Sequence, residues 1–195
     1  CQVCSAQSSG NTAVRVQPST TTVRVDETFS VSVTVESVQN LFGLDVILRW
    51  NSSVLQFQNV DLRLGVESHS DGVLHEGSNT EIYIAENAAS EAEYHLAATA
   101  VAPASSFNGS GTVFRIDFKA ISVGRSPLEL ETELADRPPP GETANLIEHA
   151  TVPGSVESGE NGSSKPTGLD WIIPILIAIT VIVLTIGVIV YLRKR

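Results

Sequence analysis

In TFSVSVTVESV, Phe29, Val31, Val33 and Val35 fall on one side of an extended chain and Ser30, Ser32 and Thr34 on the other. A spacing of two fits a strand, whose successive side chains point to opposite faces, and does not fit the 3.6-residue turn of a helix. Similar short runs, rich in Val, Ile, Thr and aromatics and mostly alternating, are AVRVQP, TTVRV, LDVILRW, VLQFQNVDL, EIYIAE, EYHLAATAV, TVFRIDFKAI and SPLELET. The punctuators NSS, SDG, GSN, NGSG and SVGRSP separate them, and nothing from Thr12 to Glu157 keeps a helical period beyond about two turns. NAASEAEYH reads as a loop feeding a strand. About nine strands, each with one apolar face to bury, predict an all-β sandwich or barrel. The roughly 145 residues involved suit one domain.

The alternation also sorts the residues of LFGLDVILRW, where Asp45 and Arg49 interrupt an apolar run. Leu44, Val46, Leu48 and Trp50 share one face and are read as core, whereas Asp45, Ile47 and Arg49 share the other and are read as exposed. An aliphatic residue between opposite charges suits contact with a protein partner. It is also a common composition of solvated strand surface.

Outside the strand region the composition changes. From Thr151 the sequence reads VPGSVESGENGSSKPTG, a Gly/Ser/Glu/Pro spacer. It is followed by WIIPILIAITVIVLTIGVIVYL, Trp171 to Leu192, and the basic triplet Arg193-Lys194-Arg195. About 22 uncharged residues at about 1.5 Å each cross a hydrocarbon core. Trp171 and Tyr191 stand where interfacial aromatics belong, and the basic flank marks the cytoplasmic side. The expected organisation is an N-terminal stretch over 1–11, a β-sandwich over 12–157, a flexible linker over 158–169, a transmembrane helix over 170–192 and a cytoplasmic tail over 193–195. The bulk of the protein is expected outside a cell membrane, crossed once.

The first residues, CQVCSAQ, match the end of a secretory signal cut ahead of Gln7, and the absence of Met suggests a processed or truncated chain. Cys1 and Cys4 are expected to belong to that remnant, with a lipidated Cys1 as the alternative. The folded part then has no disulfides. The chain carries 12 basic and 22 acidic residues, a net charge of −10. Such a surface repels phosphate backbones and excludes nucleic acid as a partner.

The order VRVDETFSVSVTVESVQNLFGLDVILRWNSSVLQFQNVDL, then SGTVFRIDFKAISVGRSPLEL, then ATVPGSV resembles the cohesin domain, an extracellular module that receives dockerins in cellulosome-type assemblies. A strand with an aromatic end and a following turn match Trp50 to Gln56, the alternating segment ending in Phe-Lys matches Gly111 to Lys119, and the closing G-x-V matches Gly154 to Val156. The resemblance covers residues 13 to 157. It implies a nine-stranded jelly-roll sandwich without a catalytic site, a protein-docking function, and a partner face on one sheet. An Asp that recurs in recognition matches Asp45, and an aromatic on the neighbouring strand matches Tyr83. Ile47, Arg49 and Ala98 are placed on the same face by alternation. The chain departs from the pattern two residues before Asp45, where Gly43 replaces an Asn.

Other chemistries have weaker footing. His69, Asp71, His75 and Glu76 are metal-ligating residue types, but their spacing fits no standard pattern and Asp71-Gly72 reads as a turn. No metal, no cofactor and no catalytic residue is therefore assigned. The G-x-S-x-G and H-E-x-x-H motifs and a phosphate-cradling loop are all missing from the sequence. Direct carbohydrate binding needs a platform of aromatics, and outside the apolar run Trp50, Tyr83 and Tyr94 are the Trp and Tyr residues. A structural role in a cell envelope is the third reading, and a polysaccharide-related assembly is the setting the resemblance suggests. Asn51, Asn108 and Asn161 head N-x-S sequons and are glycosylation candidates.

Overall fold

A computed structural model describes residues 12–74 and 82–160. The apolar run from Trp171, the basic tail, Cys1, Cys4, His75, Glu76 and Asn161 lie outside the described residues. The described chain is all-β and forms a two-sheet jelly-roll sandwich. Its ten strands are β1 (Ala13–Pro18), β2 (Thr22–Arg24), β3 (Thr28–Arg49), β4 (Leu55–Leu62), β5 (Ile82–Ala89), β6 (Glu93–Ala100), β7 (Phe107–Ala120), β8 (Gly124–Asp136), β9 (Ala150–Val152) and β10 (Gly154–Gly159).

Strand β3 is 22 residues long and joins TFSVSVTVESV and LDVILRW, which the sequence presents as two strands. Its first half pairs with β1 and β7, and its second half with β6 and β8. One sheet is thus ordered β9-β1-β3-β7-β4 and the other β5-β6-β3-β8-β10-β2. The passage between them is irregular, with positive φ at Ser37 (53°) and Asn40 (59°). Backbone donors freed there need partners. The Ser37 amide donates to Ser110 Oγ at 2.9 Å and the Asn40 amide to Asn108 Oδ1 at 2.8 Å.

A single core lies between the sheets. It includes Val31, Val33 and Val35 from one half of β3, Leu44, Val46, Leu48 and Trp50 from the other half and its end, and Phe114, Ile116 and Phe118 from β7. Both expected apolar faces of β3 are therefore buried as the alternation predicts. Two C-terminal strands were not anticipated as strands. Val152 pairs with Arg15, and β10 lies between β8 and β2 with Val156 and Ser158 buried. The start of the linker at residue 158 is corrected: Ser158 and Gly159 belong to the β10 ladder. Their spacer-like composition says nothing of the edges that β8 and β2 offer them.

The segment from Arg63 to Leu74 closes over β7. Arg63 bridges Asp61 and Asp71, the Thr112 amide donates to the Asp71 carbonyl at 2.6 Å, and Leu64, Val73 and Leu74 are buried. A Cβ on Gly111 would overlap the Gly72 carbonyl oxygen. Because that oxygen is backbone, it cannot swing aside, and Gly111→Ala is expected to destabilise the domain by about 1–3 kcal/mol, as overpacking does. Urea unfolding measures it, and an unchanged midpoint would contradict this packing.

Candidate functional site

The outer face of the β5-β6-β3-β8 sheet collects the residues singled out from the sequence. Antiparallel register places its outward side chains in rows. Ala97, Asp45 and Glu133 form one row, His95, Ile47 and Glu131 the next, and Glu93, Arg49 and Glu129 a third. Asp45, Ile47 and Arg49 are each partly exposed, consistent with their expected face. Tyr83 is 61% exposed and stands opposite Thr99, which itself pairs with Gly43, so it looks out from the same face.

Ala98 does not belong to this surface. It is 5% exposed and pairs with Leu44 on the core side, and Ala97 takes the place beside Asp45. The physical reason is the strand period: a one-residue displacement exchanges faces. A signal was available in EYHLAATA, because Tyr94, Leu96, Ala98 and Ala100 share one face and are all buried. His95 and Ala97 are then outward by the same count.

The charges on the face engage one another. Arg49 Nε donates to Glu93 at 2.6 Å and its Nη1 to Glu131 at 2.9 Å. The hydrogen bond to Glu131, followed by that to Glu93, strengthens the hold of the guanidinium on its proton. Asp45 Oδ1 lies 2.8 Å from His95 Nε2, which fixes the carboxylate while leaving its side chain 45% exposed. Against Arg49, the rows carry the carboxylates of Asp45, Glu93, Glu129, Glu131 and Glu133. These rows are acidic, and Arg49 within them is already paired.

Elsewhere the candidate residues are drawn into structure. Trp50 and Tyr94 are buried, Tyr94 edge-on to Phe114 with ring centroids 4.8 Å apart, and its hydroxyl donates to Asn87 at 2.7 Å. Burial raises the Tyr94 hydroxyl well above the usual phenol range. Among the described residues Tyr83 is thus the exposed member of the Trp and Tyr set, and one ring makes no flat sugar platform. Asp71 is bound by Arg63 and Thr112, and among the described residues no three His, Cys, Asp or Glu converge as a metal would require. Asn51 Oδ1 accepts from the Ser53 amide at 3.0 Å, whereas Asn108 Oδ1 supports the β3 passage, so both exposed sequon asparagines also organise their turns.

Comparison with known proteins agrees with this architecture. No curated protein matches the chain. A type II cohesin domain from the cellulosome of Acetivibrio cellulolyticus is 16% identical, with a TM-score of 0.55 over 75% of this chain and 95% of that one. A non-cellulosomal cohesin from the archaeon Archaeoglobus fulgidus is 15% identical, with a TM-score of 0.53 over 79% of this chain and 95% of that one. A type I cohesin–dockerin complex from Clostridium thermocellum contains a chain 14% identical, with a TM-score of 0.54 over 75% of this chain and 99% of that one. At such identities these likenesses speak for the fold. The sequence pattern of the cohesin domain family matches residues 14–157, from β1 into β10, and on that match the chain belongs to the cohesin domain family.

Proposed function

We propose that the protein is a cell-surface docking module whose β5-β6-β3-β8 face receives a dockerin-bearing extracellular protein. The observation that carries this reading is the face itself: a sheet surface with a half-exposed Asp45 and a partly exposed Ile47 at its middle and an excess of carboxylates, on a domain of a family whose solved members include a dockerin complex. Acidic surfaces speed and orient encounter with basic ones. The site offers recognition: Arg49 holds Glu93 and Glu131, and His95 holds Asp45, so that these groups are placed for a partner.

The test is direct titration of the full chain with individually expressed dockerin modules. At least one is expected to bind saturably, and Asp45→Lys is expected to abolish that binding. No binding by any module, or equal binding to the variant, would overturn the reading.

The setting is proposed from the sequence. The apolar run Trp171–Leu192 and its basic flank are read as a membrane anchor with the domain outside and the tail in the cytoplasm. On phase separation the full chain is expected with the detergent or membrane fraction and a chain truncated after Lys165 in the aqueous one. Recovery of the full chain in the aqueous phase without detergent contradicts the anchor.

A further inference from the structure

One row of the outer face differs from those carrying its charges. Register places Tyr83, Thr99, Gly43, Ala135 and Leu146 side by side across it. The ends of the row are apolar and exposed, Tyr83 at 61% and Leu146 at 69%, while its middle is built of small residues. A depression of about 280 Å³ opens there, lined by Ala85, Ala97, Thr99, Gly43, Ala135 and Leu146. Asp45 and Glu133 border it.

Gly43 lines this depression. Glycine inside a strand weakens it, and commonly marks a turn, a bulge or the close approach of another molecule. At Gly43 φ is not positive. A Cβ there would lie 3.4 Å from Thr99 Oγ1 and 3.6 Å from the Ala135 Cβ, which is ordinary contact. Gly43 is buried and borders a register shift of β3 against β8, but its packing leaves room for an alanine, in contrast to Gly111. What a side chain would do is fill the hollow.

The surroundings define the chemistry of an occupant. The floor and the Leu146 wall are apolar, and the adjoining rows carry Asp45, Glu133, Glu131, Glu129 and Glu93 against an Arg49 that two of these glutamates already hold. We propose that the Gly43 depression receives one apolar side chain of the docking protein, and that the residues flanking this side chain are Lys or Arg. The inference rests on the docking reading above and specifies what that face selects.

A displayed library of dockerin modules, randomised on their surface and selected on the full chain, separates the two. Selected clones are expected to share an apolar residue between basic ones. Gly43→Leu should weaken them at least tenfold, and Glu133→Lys should weaken them unless a basic residue of the clone is changed to Glu. Gly43→Ala should raise the melting temperature by about 1–4 °C, because alanine restricts the unfolded chain, while weakening binding. That variant guards against a failure of Gly43→Leu to fold. Clones that lose binding to Asp45→Lys yet bind Gly43→Leu undiminished, without an apolar-basic pattern, overturn this inference and leave the docking face standing. Clones indifferent to both variants, or a library without binders, overturn both.

Discussion

Trp50→Ala is expected to destabilise the domain by about 3–5 kcal/mol, the usual cost of deleting a large buried aromatic. Trp50 is 5% exposed and closes the inner face of β3 just before the Asn51 turn. Its ring stacks on Phe57 at 6.2 Å between centroids and meets Phe118 edge-on at 4.9 Å, so truncation removes contacts to both β4 and β7. One feature moderates the loss: Trp50 Nε1 is buried without a hydrogen-bond partner among the described residues. Leaving such a donor unpaired costs about 1–3 kcal/mol, which alanine relieves. The effect is therefore expected near the lower end of the range. Trp50→Phe should keep most of the packing and drop the unpaired donor, for a net change within about 1 kcal/mol. Urea unfolding of both variants checks the pair. A domain typically has only about 5–15 kcal/mol to lose, so a near-native alanine variant would mean that Trp50 does not hold these strands together.

At Asp45 the effect is expected on binding rather than on folding. Its carboxylate bonds His95 at the half-exposed surface. Exposed polar pairs of this kind contribute at most about 1 kcal/mol to stability. Removing one partner of a charge-assisted contact in a desolvated interface costs about 2–5 kcal/mol. Asp45→Ala should therefore leave the melting temperature within a few degrees of wild type while weakening dockerin binding at least tenfold, about 1.4 kcal/mol or more. Titration calorimetry at two salt concentrations reads both the loss and its ionic share, because exposed charge interactions weaken with salt. Equal affinities for wild type and variant would move the binding surface away from this face.

What the sequence determines by itself is the facing of the long alternating strand β3. The period of two is a local property of the chain, and it correctly separates Leu44, Val46, Leu48 and Trp50 from Asp45, Ile47 and Arg49 without knowledge of any neighbour. It also carries the all-β class, because nothing in the strand region sustains a helical stripe.

The tertiary structure decides what those faces meet. TFSVSVTVESV and LDVILRW become one strand because Asn108 and Ser110, from β7, satisfy the amides of Asn40 and Ser37. Ser158 and Gly159 become strand because β8 and β2 leave an edge between them. Arg49 ceases to be a free cation because Glu93 and Glu131 lie on strands paired to either side of it. Ala97 and Glu133 stand in one row with Asp45 because the pairing of β6 and β8 with β3 sets the register. Each of these outcomes depends on hydrogen bonds or charges contributed from distant parts of the chain, and such pairing exists only once the two sheets have formed.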